Sequence, residues 1–298
     1  MFTAKDVKDL REKTGCGMMD CKKALTQSDG DMEKAIEFLR EKGLAAAEKK
    51  ASRIAAEGIV DAYVAADGSV GSLIEVNSET DFVAKNADFR GFVATLAKIV
   101  ADENPADVDA LKALKYTDSD MTVEEMLREK ILTIGENLTI RRFARYEGGV
   151  VSYIHGEGRI GVLVKAEGDV ANADAHEAAR DAAMQIAAIN PLYLNKESVP
   201  AEDVEHEKSI IIAQIKEDPK NASKPDNIIE KMVGGKINKF FDQNCLLLQE
   251  FVKNPDLKVG QYLESKGVKL VDFVRFEKGE GLEKREDNFA DEVASMIK

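Results

Sequence analysis

The sequence predicts an α+β protein, and three observations carry that expectation. Apolar residues recur at helical spacing between capping signals over the first stretch; a strand, glycine turn, strand pattern occurs twice with a helical stretch after each; and a polar break separates a further pair of helical stretches. The expected organisation is an N-terminal helical bundle and linker at 1-55, a core N-subdomain at 56-143, and a core C-subdomain split between 144-189 and 237-281. An inserted antiparallel helical hairpin (coiled coil) occupies 190-236 and a C-terminal helix module 282-298.

The bundle is read from its caps. Thr3 with Asp6 forms a capping pair, Val7 and Leu10 give the apolar face, and Gly15 ends the first helix. A second helix is expected from Met18 to Leu25. "SDGD" then breaks the chain, and Asp31 caps a third helix with Ala35, Ile36 and Leu39 inward and Gly43 as its stop. "LAAAEKKASRIAAE" reads as a helical linker.

The core is read from a repeat. "GIVDAYVAADGSVGSLIEV" begins at Gly58 and "GGVVSYIHGEGRIGVLVKA" at Gly148, and laying Gly58 on Gly149 makes both read apolar strand, glycine turn, apolar strand. Gly68 and Gly71 recur as Gly158 and Gly161. A helical pattern follows each copy, through Phe92, Leu96 and Ile99 in the first and Ala178, Ala182, Met184 and Ile186 in the second. The first unit also owns a helix near 122-134, capped by Thr122 and Glu125, and the strand "NLTIRRFARYE". The second is expected to be completed by "CLLLQEFV" and "KLVDFVRFE", with the insertion between. That insertion carries Val204, Ile211, Ile212 and Ile215, then Ile228, Ile229, Met232 and Val233, around the turn "EDPKNASKPD". "NFADEVASMIK" places Phe289, Val293 and Met296 or Ile297 on one face of a final helix that must dock on something.

Composition narrows the function. A net charge of -13 argues against gripping nucleic-acid phosphates. Residues 1-55 hold 12 Lys and Arg against 10 Asp and Glu, so the acidity lies in the remainder and the expected partner surface is protein. Three cysteines without CxxC spacing fit a reducing cytoplasm, with neither a disulfide framework nor a zinc site. No apolar run approaches the length of a membrane span.

Motifs for bond-making catalysis are sparse. "GEGRIG" at Gly156–Gly161 matches the dinucleotide fingerprint letter for letter, but "RIGVLVKA" continues as a strand where the fingerprint needs a helix, which favours a hairpin turn. His155, His176 and His206 share no ligand spacing, so neither a metal nor a cofactor is expected. His155 at a hairpin tip is either a solvated turn residue or a contact. In "TGCGMMDCKKAL", either Met18 and Met19 are core filler or, since neighbours on a helix cannot both point inward, one of them stands at the surface as an apolar contact beside Lys22 and Lys23. Asp81 and Phe82 in "NSETDFVAKNADF" read either as a cap over a core aromatic shared with Phe89 and Phe92 or as an exposed pair, with Thr80 an alternative cap.

Taken together, "LREKTGCGMMDCKKAL", "EVNSETDFVAKNADF", "IGENLTIRR", "SYIHGEGRIGVLV" and "RFEKGEGLEK" resemble, in order and over essentially the whole chain, the elongation factor Ts family. The resemblance implies a non-enzymatic guanine-nucleotide exchange factor for the GTPase elongation factor Tu, cytoplasmic, with no direct contact to nucleic acid or membrane. It implies a bundle similar to ubiquitin-associated domains that touches the partner's nucleotide-binding domain through Arg11, Met18 and Met19. It implies that Thr80, Asp81, Phe82 and Val83 form the motif inserted near the partner's magnesium, with Ile134, Gly135 and His155 as further contacts. The C-terminal helix would clasp the nucleotide domain, the second core unit would reach the partner's far domain, and the inserted coil is a candidate homodimer contact. Thr133 departs from the family pattern, where a lysine is expected before Ile134, and Cys16 stands where a small alanine is usual. The competing class is an adaptor that recruits proteins through bundle and coil without altering nucleotide state.

Overall fold

A computed structural model describes residues 2–168, 170–218 and 224–283 and is α+β. The final-helix residues Phe289, Val293, Met296 and Ile297 lie outside the described residues, as does part of the "EDPKNASKPD" turn.

Three helices open the chain: α1 (Ala4–Thr14), α2 (Met18–Gln27) and α3 (Met32–Lys50). Thr3 and Asp6 form a reciprocal capping box, Gly15 ends α1 in the left-handed region at φ 66°, and the Asp31 carboxylate accepts the N–H groups of Glu33 and Lys34. Gly43 does not stop α3, which runs unbroken to Lys50 and absorbs the first half of the expected linker. Gly43 is not in the left-handed conformation that ends a helix, and the helix continues past it against Arg128 and Leu132, where an added Cβ would meet only ordinary contacts at 3.6 to 3.9 Å.

The core holds two three-stranded antiparallel sheets. In the first, β1 (Glu57–Val64), β2 (Val70–Ser78) and β3 (Thr139–Glu147) pair in that order; α4 (Asp81–Ala84), α5 (Ala87–Glu103), α6 (Val108–Ala113) and α7 (Val123–Ile134) lie between β2 and β3 in the chain. In the second, β4 (Gly149–His155) and β5 (Ile160–Glu167) are followed by α8 (Ala173–Ile189), α9 (Ala201–Glu217), α10 (Asp226–Asn244), the short strands β6 (Glu250–Phe251) and β7 (Asn254–Lys258) and α11 (Val259–Ser265). Then β8 (Lys269–Glu277) pairs with β5. "CLLLQEFV" therefore adds no strand to the second sheet. It forms a turn and then β6, the first strand of the β6–β7 ribbon, and its Leu246 and Phe251 enter the core under α8 instead.

The two sheets face one another through Val60, Leu73, Val150, Leu163 and Phe276. The repeated glycines lie where the hairpins cross. A Cβ on Gly71 would come 2.7 Å from a Val150 methyl, and one on Gly161 would come 2.5 Å from a Val60 methyl. These contacts are copies of one another ninety positions apart, as are the bulges at Glu75/Val76 and Lys165/Ala166. The correspondence therefore lays Gly58 on Gly148, not on Gly149. Both helices that follow the hairpins, α5 and α8, start on an asparagine cap and end on a left-handed asparagine.

Glu75 ties the halves together. Fully buried, it accepts hydrogen bonds from Arg141 (2.9 Å), Arg142 (2.6 Å), Asn77 (3.1 Å) and the backbone N–H of Gly279 (2.7 Å) beyond β8. In the second half, Asp181 on α8 accepts from Lys253 (2.6 Å) and the Tyr262 hydroxyl (2.9 Å). The helices α9 and α10 pack as a hairpin along Ile211, Ile215 and Ile237, with Val204, Ile229, Met232 and Val233 partly covered; Ile228 stays exposed. Among the described residues no helix is long and apolar enough to cross a membrane.

Candidate functional site

Where β2 leaves its sheet at Ser78, two turns are laced together by carboxylates. The Glu136 side chain accepts the backbone N–H groups of Glu79 and Thr80, both at 3.0 Å, and the Thr80 hydroxyl at 2.6 Å. In return Glu79 accepts the N–H of Asn137 at 2.6 Å. Thr80 holds the cap position of α4 in extended conformation, but its hydroxyl is committed to Glu136 and caps nothing.

The four residues of α4 divide sharply. Val83 and Ala84 sink into the first core with Phe89 and Phe92, while Phe82 is 79% exposed. Successive helical side chains are about 100° apart, so a helix that buries residues 83 and 84 turns residue 82 outward. The core-aromatic alternative thus holds for Phe89 and Phe92 and not for Phe82. Asp81 accepts from Lys85 Nζ at 2.7 Å, and that hydrogen bond holds its carboxyl below the usual carboxylate range.

The turn that carries Glu136 also carries Ile134 and Gly135. Gly135 closes α7 at φ 88°, with its N–H donating to Ile131, and half-buried Ile134 packs on the first core. Glu136 therefore fastens Thr80, Asp81, Phe82 and Val83 to Ile134 and Gly135. The other end of α4 is fastened to the second hairpin. Arg90 on α5 donates to the carbonyls of Ala84 (3.2 Å) and Glu157 (2.9 Å). Glu157 lies in the turn after β4, two residues past His155, which is exposed with Nδ1 3.0 Å from the Tyr153 hydroxyl. "GEGRIG" is this hairpin turn, leading directly into β5.

Arg11, Met18 and Met19 belong to the bundle. Arg11 is exposed near the end of α1; Met18 and Met19 are 57% and 74% exposed, so both stand out where one was expected. The inward face of α2 begins with Cys21, a turn further on, which leaves both methionines beyond the bundle core beside exposed Lys22 and Lys23. The bundle docks on α7, where Leu132 packs against its apolar cluster and Lys50 Nζ donates to the Ile131 carbonyl at 3.3 Å. The helix that receives the bundle is thus the one that ends in Ile134 and Gly135.

Glu79, Glu136 and Arg90 were not legible as parts of this site. The two glutamates occur in "NSETDF" and "IGENL", but they meet across 57 positions of chain, and no local pattern signals such a pairing. What the assembly presents outward is an aromatic ring, two flexible thioethers and an imidazole, groups suited to burial against another macromolecule.

The family described as Elongation factor TS matches residues 79–280. The chain is 52% identical over 305 residues to Elongation factor Ts of Clostridium perfringens, covering 99% of each. It is 50% identical over 307 residues to Elongation factor Ts of Clostridium kluyveri, covering 100% of this chain and 99% of the relative. A Clostridium botulinum Elongation factor Ts is 50% identical over 306 residues with the same coverage.

Proposed function

The chain belongs to the elongation factor Ts family, and from that premise we propose that it binds elongation factor Tu carrying GDP and promotes GDP release so that GTP can load. It acts by binding, without bond chemistry or a cofactor, and Asp81 and Phe82 disturb the partner's magnesium and phosphate site. The observation that carries this proposal is the 79% exposure of Phe82 on a helix whose next two residues, Val83 and Ala84, are buried. An aromatic held in water at the end of a strand gains by entering an apolar crevice.

Magnitudes argue for a distributed grip. A thousandfold acceleration of release requires roughly 4 kcal/mol of differential interaction, and reciprocity demands that the factor bind the nucleotide-loaded partner correspondingly more weakly. Burying one phenylalanine supplies about 1.5 to 3 kcal/mol. The remainder comes from displacing the magnesium, which under-compensates the diphosphate, and from contacts that hold the intrusion in place. Those contacts are Arg11, Met18 and Met19 of a bundle similar to ubiquitin-associated domains, Ile134 and Gly135, and His155. The second core unit and the C-terminal segment add further grip, and the α9–α10 hairpin is a homodimer contact. The setting is the cytoplasm, with neither nucleic acid nor membrane as partner.

Mixing the chain with elongation factor Tu loaded with fluorescent GDP tests this. An exchange factor speeds release at substoichiometric amounts. Binding without faster release would favour the adaptor class.

A further inference from the structure

Four residues make a single helical turn, which does not hold itself together in water. Its terminal N–H and C=O groups also lack intrahelical partners. α4 is such a turn, yet it carries the most exposed large apolar side chain among the described residues. Two side chains from elsewhere brace it. On the N-terminal side, the Glu136 carboxylate takes the N–H groups of Glu79 and Thr80 and the Thr80 hydroxyl. On the C-terminal side, one nitrogen of Arg90 donates to both the Ala84 and the Glu157 carbonyls. Each brace reaches a different neighbour: Glu136 follows Gly135 directly, and Glu157 lies in the His155 turn.

We propose that Glu136 and Arg90 are positioning residues that hold α4 as a preformed platform, registered against the Gly135 and His155 turns, so that Phe82 meets its partner without an ordering step. The proposal rests on the exchange-factor function above and assigns it two residues that act through Phe82. Ordering a loop on binding subtracts from affinity and from any strain the contact can impose, and bracing the loop in advance removes that cost. Arg90 is suited to the task because its planar guanidinium is pre-organised and loses less freedom per hydrogen bond formed than a lysine ammonium on a flexible stem.

The test has two arms. In the chain alone, amide hydrogen exchange at Glu79 and Thr80 in Glu136→Gln is expected to run about fivefold faster than in the unsubstituted chain, the loss of roughly one hydrogen bond, with β2 protection unchanged. With the partner and fluorescent GDP, Glu136→Gln and Arg90→Lys are each expected to lower stimulated release about fivefold. In a Phe82→Ala background the same changes cost less than about twofold, because a residue that acts through Phe82 then has nothing further to lose. Unchanged exchange at Glu79 and Thr80, or equal losses in both backgrounds, overturns the proposal. If the unsubstituted chain stimulates no release while the exchange arm behaves as expected, the exchange-factor function fails and this role with it, and the brace stands as a feature of the fold.

Discussion

Phe82 and Val83 are neighbours in one helical turn, and the first is 79% exposed where the second is 7% exposed. Their contributions to the free chain should differ accordingly. Val83→Ala removes two buried methyl groups from the first core and is expected to cost about 2 kcal/mol in urea denaturation. Phe82→Ala removes a ring with little to lose in the free chain and should change stability by less than about 0.5 kcal/mol.

The crossing glycines give a second prediction. Gly161→Ala drives a methyl to within 2.5 Å of a Val60 methyl and 2.7 Å of a Leu73 methyl, between two facing sheets. A loss of about 1 to 3 kcal/mol is expected from overpacking. Gly234 in α10 is the contrast: a Cβ there meets nothing within 4 Å, so Gly234→Ala should stabilise by up to about 1 kcal/mol.

Tyr262 predicts an alkaline transition. Burial and its hydrogen bond to Asp181 push its hydroxyl from 10.0 to about 12. A raised folded value means that the native state keeps the proton longer than the unfolded chain, so this stabilisation is complete below pH 10.0 and is lost as pH rises toward 12. Stability measured across that window should fall less steeply in Tyr262→Phe than in the unsubstituted chain. An unchanged slope would show that the Tyr262 hydroxyl does not contribute to the alkaline loss of stability.

The two exposed methionines predict a loss confined to binding. Met18→Ala with Met19→Ala should leave the thermal midpoint of the chain nearly unchanged, since neither side chain is in the bundle core. Affinity for elongation factor Tu in calorimetry should fall by about tenfold or more if these residues anchor the bundle contact.

What was legible in the sequence was local. Thr3 with Asp6 and Thr122 with Glu125 are pairs three residues apart, and both form reciprocal capping boxes. The α+β class followed from periodicity and from the repeat. Gly43 carries the signal of a helix end, yet it is not left-handed and α3 runs on to Lys50 against α7, a contact remote in sequence. The repeat was placed one residue off because apolar letters align almost equally well in either register; the bulges and the reciprocal glycine contacts decide it. "CLLLQEFV" has the composition of a strand, yet it supplies core residues from a turn and a short ribbon. At α4 the sequence left Phe82 between core and solvent, because burial of Val83 and Ala84 and the commitment of Thr80 to Glu136 are tertiary facts.

The proposed role of Phe82 is a local intrusion within a wider grip. Stopped-flow release of fluorescent GDP from elongation factor Tu, measured with Phe82→Ala alongside its binding affinity, separates intrusion from grip. Stimulated release should fall by about tenfold or more, in line with the roughly 1.5 to 3 kcal/mol of one buried phenylalanine, while much of the binding remains. Equal loss of binding and release, or undiminished release, would contradict it.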